Sequence, residues 1–248
     1  MNLFVVHEDP KTAAIQLCDQ HIVKLPTECV QILCTVYELE KIRIRNELIR
    51  GALVTDIPSL RLRYLNALKE LDVAASAPMK PVRPLHHKQH PIIRWAVDLS
   101  NNLRWIKQHT IALFNEFEYR FGHPHGSLLK FNDLYHVVPE IQRIGRPFGF
   151  RPFGISRRRF LLTFVPCMPR KYKNSTGPTY GYDPITYSSW DTVAAYRQYY
   201  IEEKSRFARW AHRRPPPDWW PYSTSVPPHG TLSTCPDPLH EASPSASH

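Results

Sequence analysis

From Cys18 to Lys41 apolar residues recur at helical spacing, and one polar row runs through them: His21, Lys24, Glu28, Gln31 and Thr35. A helix turns by about 100° per residue, so this 3-4-3-4 spacing confines all five side chains to roughly one quarter of its surface. Val23, Val30 and Cys34 cover a second direction, and Leu25, Cys29 and Leu33 a third. A helix apolar in most directions is a central one, and polar groups on it need partners. The plainer alternative is a row that simply meets solvent. The alternation that marks half-buried strands is nearly absent from the chain.

The expected class is therefore mainly α. It is a single helical domain with a kinked central N-terminal helix, a long second helix and a basic, aromatic C-terminal helix. A Pro/Ser-rich tail from about Ser223 is expected to be disordered. "NLFVV" reads as a short strand or extended lead-in. Asp9 is a natural N-cap for the next helix and Pro10 suits its first position. That helical pattern runs to about Lys41, with a kink or a junction of two helices at Pro26. Residues 43–76 are Leu- and Arg-rich and hold one or two helices; 77–90 are Pro-punctuated. A long helix follows from Pro91 to about Phe121, stopped by Gly122. "SLLKFNDLYHVV" is a further short helix, and 190–212 form a strong last one. The domain spans 1–222, with 43–88 read as an insertion in it.

Charge narrows the function. The chain carries 32 Lys+Arg against 22 Asp+Glu, and its pI is near 9.5. That excess favours a polyanionic partner, most often nucleic acid, over a surface kept basic for solubility. The best local signal is 143–173, where nine Lys or Arg residues occur with no Asp or Glu. They include Arg157, Arg158, Arg159, Arg170, Lys171 and Lys173, interleaved with Phe148, Phe150, Phe153, Phe160 and Phe164. Arginine and lysine neutralise phosphates, and an aromatic ring stacks on an unpaired base or wedges into a duplex. The competing reading makes those rings core and the arginines their solvated neighbours. On the last helix Tyr196, Tyr200, Glu203, Phe207 and Trp210 share one face, with Arg197, Lys204, Arg206, Arg209 and Arg213 outward.

Five cysteines form no CxxC pair, which points to core thiols in a reducing compartment. The amino terminus lacks a basic leader, and no apolar run approaches the roughly 20 residues of a membrane helix. A cytoplasmic monomer without membrane contact is expected. His86, His87, His90, His123 and His125 lack a recognised metal-binding spacing, so neither metal nor cofactor is expected. No P-loop, dinucleotide fingerprint, nucleophile elbow or HExxH occurs in the chain.

Set in order, the motifs are D-x-H-x-x-K-x-x-x-E-x-x-Q-x-L (Asp19 to Leu33), His90-Pro91 with Trp95, "EYRFGHPH" (Glu118 to His125) and "CMPRKYK" (Cys167 to Lys173). This pattern resembles the pyrimidine-dimer DNA glycosylase (endonuclease V) family and its uncharacterised phage relatives. The relatives match over most of 1–220; the match to the enzyme itself lies mainly in the first helix.

The resemblance implies a mainly helical enzyme that binds damaged or modified pyrimidines in duplex DNA. In that family an amine attacks sugar C1′ to give an imine, a helix carboxylate is essential, and β-elimination cleaves the strand. Glu28 matches the carboxylate, which stabilises developing positive charge at C1′ and shuttles protons. The family's amine belongs to a small residue exposed by Met removal. Asn2 is too large for that removal, so Met1's own α-amine or Lys24 supplies the nucleophile. His21 and Gln31 orient the sugar, the base or Glu28. His90, Arg206 and Arg209 join the basic residues above as DNA contacts. Thr27 and Gln31 stand where the family has arginines, so phosphate grip comes from elsewhere, such as Lys24 or 143–173. A phage DNA base-modifying transferase on the same scaffold, and a DNA-binding protein without catalysis, remain alternatives.

Overall fold

The computed structural model describes residues 2–76, 89–98, 100–150, 164–172 and 189–222. Seven helices lie within them: α1 Pro10–Gln16, α2 Asp19–Val54, α3 Pro58–Ser76, α4 Pro91–Asp98, α5 Ser100–Phe121, α6 Leu128–Gly145 and α7 Ser189–Lys204. No strand occurs among the described residues. The mainly α class holds.

Local signals explain several boundaries. Asp9 caps α1 by accepting a hydrogen bond from the Thr12 amide at 2.7 Å, and Pro10 begins the helix. Gly122 ends α5 with φ +77°, a conformation that costs glycine little, and its amide bonds the Glu118 carbonyl at 2.8 Å.

Other boundaries differ from expectation. The "NLFVV" segment is not a strand. Phe4 has φ +46°, and the Val6 amide bonds back to the Phe4 carbonyl at 2.7 Å, a local turn that prevents sheet pairing. α2 is one helix of 36 residues that passes through Pro26 and continues to Val54, well beyond Lys41. Pro26 is buried, so packing against neighbours offsets the backbone hydrogen bond it lacks. The Pro91–Phe121 stretch is described as two helices, α4 and α5, with residue 99 outside the described residues. α6 is longer than expected, reaching Gly145 through Pro139, and α7 ends at Lys204. The tail from 223 lies outside the described residues.

α2 is the axis of the molecule. It packs on α3, α4, α5 and α6. The main core gathers Ile22, Leu25, Val30 and Leu33 of α2 with Trp105, Ile106 and Leu113 of α5 and Tyr196 and Tyr200 of α7. A second cluster joins Ile44 and Leu48 of α2 to Ala67 and Leu71 of α3 and Ile141 and Ile144 of α6. Residues 43–76 are thus built into the helical framework. At Gly51 a side chain would come within 2.5 Å of the Tyr64 ring, so any larger residue there requires that ring to move.

A buried ionic cluster ties the start of α2 to the rest. Arg120 of α5, fully buried, donates to Asp19 Oδ1 at 2.9 Å, to Glu116 Oε1 at 2.7 Å and to the Ile15 carbonyl at 2.9 Å. Asp19 Oδ2 accepts from the Ala211 amide at 2.8 Å and lies 3.0 Å from His212 Nδ1. Arg214 pairs with Glu116 at 2.8 Å. Burial opposes the charge on Asp19, but His212, the Ala211 amide and Arg120 outweigh it and hold its carboxyl below the ordinary range. The segment after α7 is thereby fastened across the beginning of α2.

Candidate functional site at the start of the central helix

The polar row does not share one environment. His21 and Thr35 are buried, Glu28 and Gln31 half-buried and Lys24 exposed. Thr35 turns its hydroxyl back to the Gln31 carbonyl at 2.8 Å, a local bond within the helix. Lys24 Nζ lies 3.1 Å from Glu28 Oε1, the lysine side chain 67% exposed and the glutamate 14%. The row therefore enters the core at both ends and opens to solvent between them. Val23, expected on an apolar face, is exposed beside Lys24.

His21 is the most constrained member. Its ring stacks on Phe4 at 4.3 Å between centroids and meets Tyr200 and Phe207 edge-on at 5.1 and 5.7 Å. The Cys18 amide donates to the Tyr200 hydroxyl at 3.0 Å, and that hydroxyl lies 2.6 Å from His21 Nδ1. Burial raises the Tyr200 pKa well above its usual value, keeping the phenol protonated. A protonated phenol donating to His21 Nδ1 at 2.6 Å places the ring proton of His21 on Nε2. Burial first, then the nearby charges of Lys204 and Lys24, push the His21 pKa down to about 3. His21 is a neutral, fixed donor at physiological pH.

The amino-terminal segment is seated on this histidine. Asn2 donates through Nδ2 to the Cys167 carbonyl and accepts from the Phe4 amide at 3.0 Å. The Val6 carbonyl accepts from Arg197 Nε at 2.8 Å. Positive φ at a residue other than glycine is uncommon and persists where surroundings over-determine it. Here the Asn2 side chain and the stacking on His21 hold Phe4 in place. Seven helical residues separate His21 from Glu28, about 10 Å along the axis. Phe4 and Asn2 thus adjoin the first turn of the row that carries Lys24 and Glu28. Met1 lies outside the described residues.

The other expected DNA contacts are scattered. His90 is half-buried and accepts the Ile92 amide at 3.2 Å, a cap for α4. Arg157, Arg158, Arg159 and Lys173 lie outside the described residues. Arg170 is exposed in a 3-10 turn spanning Arg170–Tyr172. Lys171 Nζ is paired with Glu203 at 2.8 Å. Arg143 belongs to α6, where it binds Glu140 at 2.6 Å and Glu70 at 3.3 Å. Arg143 and Lys171, from the stretch that lacks acids in sequence, therefore acquire them in space, from α3, α6 and α7. Phe164 is core, and Phe148 stacks on Tyr64 at 4.6 Å. Arg206 and Arg209 are exposed; Arg206 lies over the Phe207 ring at 6.0 Å, and Arg209 donates to the Ala208 carbonyl at 2.9 Å.

Sequence reasoning missed Phe4, Tyr199, Tyr200 and Phe207 as the walls of the site. Tyr200 and Phe207 share one face in the sequence pattern of the last helix, but residues 4, 21 and 200 lie too far apart in the chain for a local signal to group them. No group of His, Cys, Asp and Glu suited to a metal ion occurs among the described residues, and none of their helices is long and apolar enough to cross a membrane. Comparison with family models, with curated proteins and with solved structures found no match, so the resemblance to the glycosylase family rests on the sequence motifs alone.

Proposed function

We propose that this chain is a DNA base-excision enzyme of the glycosylase/lyase type, acting on damaged or modified pyrimidines in duplex DNA. The observation that carries the reading is the seating of the Asn2–Phe4 segment on His21, at the head of the row bearing Lys24 and Glu28. It brings Asn2 and Phe4 to the head of a helix row on which one amine, Lys24, lies beside a half-buried carboxylate, Glu28. A neutral histidine donor lies beside them.

In the proposed reaction an amine nitrogen forms a bond to sugar C1′ as the C1′–base bond breaks, and the base leaves with the bonding electrons. Glu28 stabilises the developing positive charge and takes the proton that the amine releases. Opening of the sugar ring gives an imine, and loss of the C2′ proton drives β-elimination of the 3′ phosphate. Borohydride reduces the imine to a stable secondary amine. Its trapping on duplexes with an abasic site, a thymine dimer or a hypermodified pyrimidine is the test. An adduct in the wild type with turnover lost in Glu28→Gln is expected. An adduct lost in Lys24→Ala assigns the amine to that side chain, and one retained there assigns it to the amino terminus. Absence of an adduct on every duplex rejects the reading.

A further inference from the structure

Lys204, the last residue of α7, has no place in the base-excision reading so far. Its Nζ lies 4.8 Å from the centroid of Tyr199, 5.7 Å from Phe4 and 5.9 Å from Phe207. Two of those rings, Phe4 and Phe207, pack directly on His21. The cage therefore delivers an ammonium to the histidine that heads the α2 row. Lys24 reaches the same histidine from one turn further along α2, and exposed Arg206 lies over the other ring that touches it. The lysines of this region differ in their partners. Lys24 is held by Glu28, as Lys171 nearby is held by Glu203. Lys204 has no carboxylate within ion-pair distance among the described residues.

A structural role accounts for part of this. A cation in the last turn of a helix complements its dipole, and ring faces attract an ammonium. Neither supplies an oxygen acceptor to the three N–H donors of the amine. The rings fix where the charge sits and leave those donors for an anion. The neutral imidazole beside it adds no competing charge.

We propose that Lys204, positioned by Phe4, Tyr199 and Phe207, is a ligand for a nucleotide phosphate at the α2 site, with Lys24 and Arg206 on its flanks. The assignment rests on the base-excision reading for its choice of anion. The phosphate belongs either to the DNA backbone beside the displaced base or to a free nucleotide.

The test is fluorescence anisotropy of an abasic-site duplex across a salt series, with wild type, Lys204→Met, Lys204→Gln and Lys204→Arg, each checked for folding by circular dichroism. Loss of one phosphate contact is expected to weaken binding roughly tenfold and to reduce the slope of log affinity against log salt by about one. Lys204→Arg is expected to restore both. A neutral methylphosphonate next to the abasic site then weakens the wild type and leaves Lys204→Met unchanged, which places the contact on the backbone. An unchanged duplex slope, together with phosphorus NMR shifts of thymidine monophosphate that are lost in Lys204→Met, places it on a free nucleotide. Lys204→Met and Lys204→Gln that match the wild type in both assays overturn the proposal. So does a wild type that binds neither probe. A Lys204-dependent slope without any borohydride adduct rejects base excision and keeps the phosphate site, so the two failures are distinguishable.

Discussion

Arg120 Nη1 donates to Asp19 Oδ1 at 2.9 Å, joining residues 101 positions apart in a cluster from which solvent is nearly excluded. The same guanidinium bonds Glu116, and the same carboxylate receives the backbone of Ala211. Arg120→Met would leave buried Asp19 without its guanidinium partner and Glu116 with Arg214 alone. Removing one partner of a buried pair typically costs about 3–5 kcal/mol, because the remaining charge stays desolvated. Urea unfolding of Arg120→Met is expected to show a loss of that size. Arg50→Met, which breaks an exposed pair with Glu47, is expected to cost about 0–1 kcal/mol.

Acid should unfold the protein through its buried histidines. Burial holds His109 at a pKa of about 4, opposed by its hydrogen bond to the Pro10 carbonyl, and burial with Lys204 and Lys24 holds His21 at about 3. Unfolded imidazoles protonate near pH 6.5. Below that point the unfolded state binds more protons than the folded one, so stability falls as pH drops from about 6.5 towards the folded values. At about pH 5 each histidine should have cost about 2 kcal/mol. Asp19 adds a later loss, below its unfolded pKa near 3.9, because its folded carboxyl is held lower. Thermal melts between pH 7 and 5 measure the first effect, and His109→Gln is expected to remove about half of it.

Glu28→Gln keeps the shape of the site and removes its negative charge. If Glu28 acts at C1′ as proposed, single-turnover excision should fall by roughly 10²–10³-fold while duplex affinity changes little. Equal loss of affinity and turnover would assign Glu28 to holding Lys24 in place.

Gly51 is where α2 and α3 touch most closely. Alanine there would overlap the Tyr64 ring, which itself stacks on Phe148. Overpacking of this kind costs about 1–3 kcal/mol. Gly51→Ala is expected to lower the unfolding free energy measured in urea by that amount, and Tyr64→Leu in the same chain to recover part of it.

The helical class, the Asp9 cap, the Gly122 stop and the polar row of α2 were determined by the sequence itself. Each depends on residues within a few positions of one another, where periodicity and backbone preference act. The continuity of α2 through Pro26, the end of α7 at Lys204 and the neutralisation of Arg143 by Glu70 were decided by tertiary structure, because burial and long-range pairing override local preference. The site divides in the same way. His21, Lys24 and Glu28 are legible as neighbours on one helix. Their joining to Phe4, Tyr200, Phe207 and Lys204 depends on the chain returning after some 180 residues to cover the first turn of α2, a closure that hydrophobic burial and the Asp19–Arg120 cluster enforce and no local pattern records.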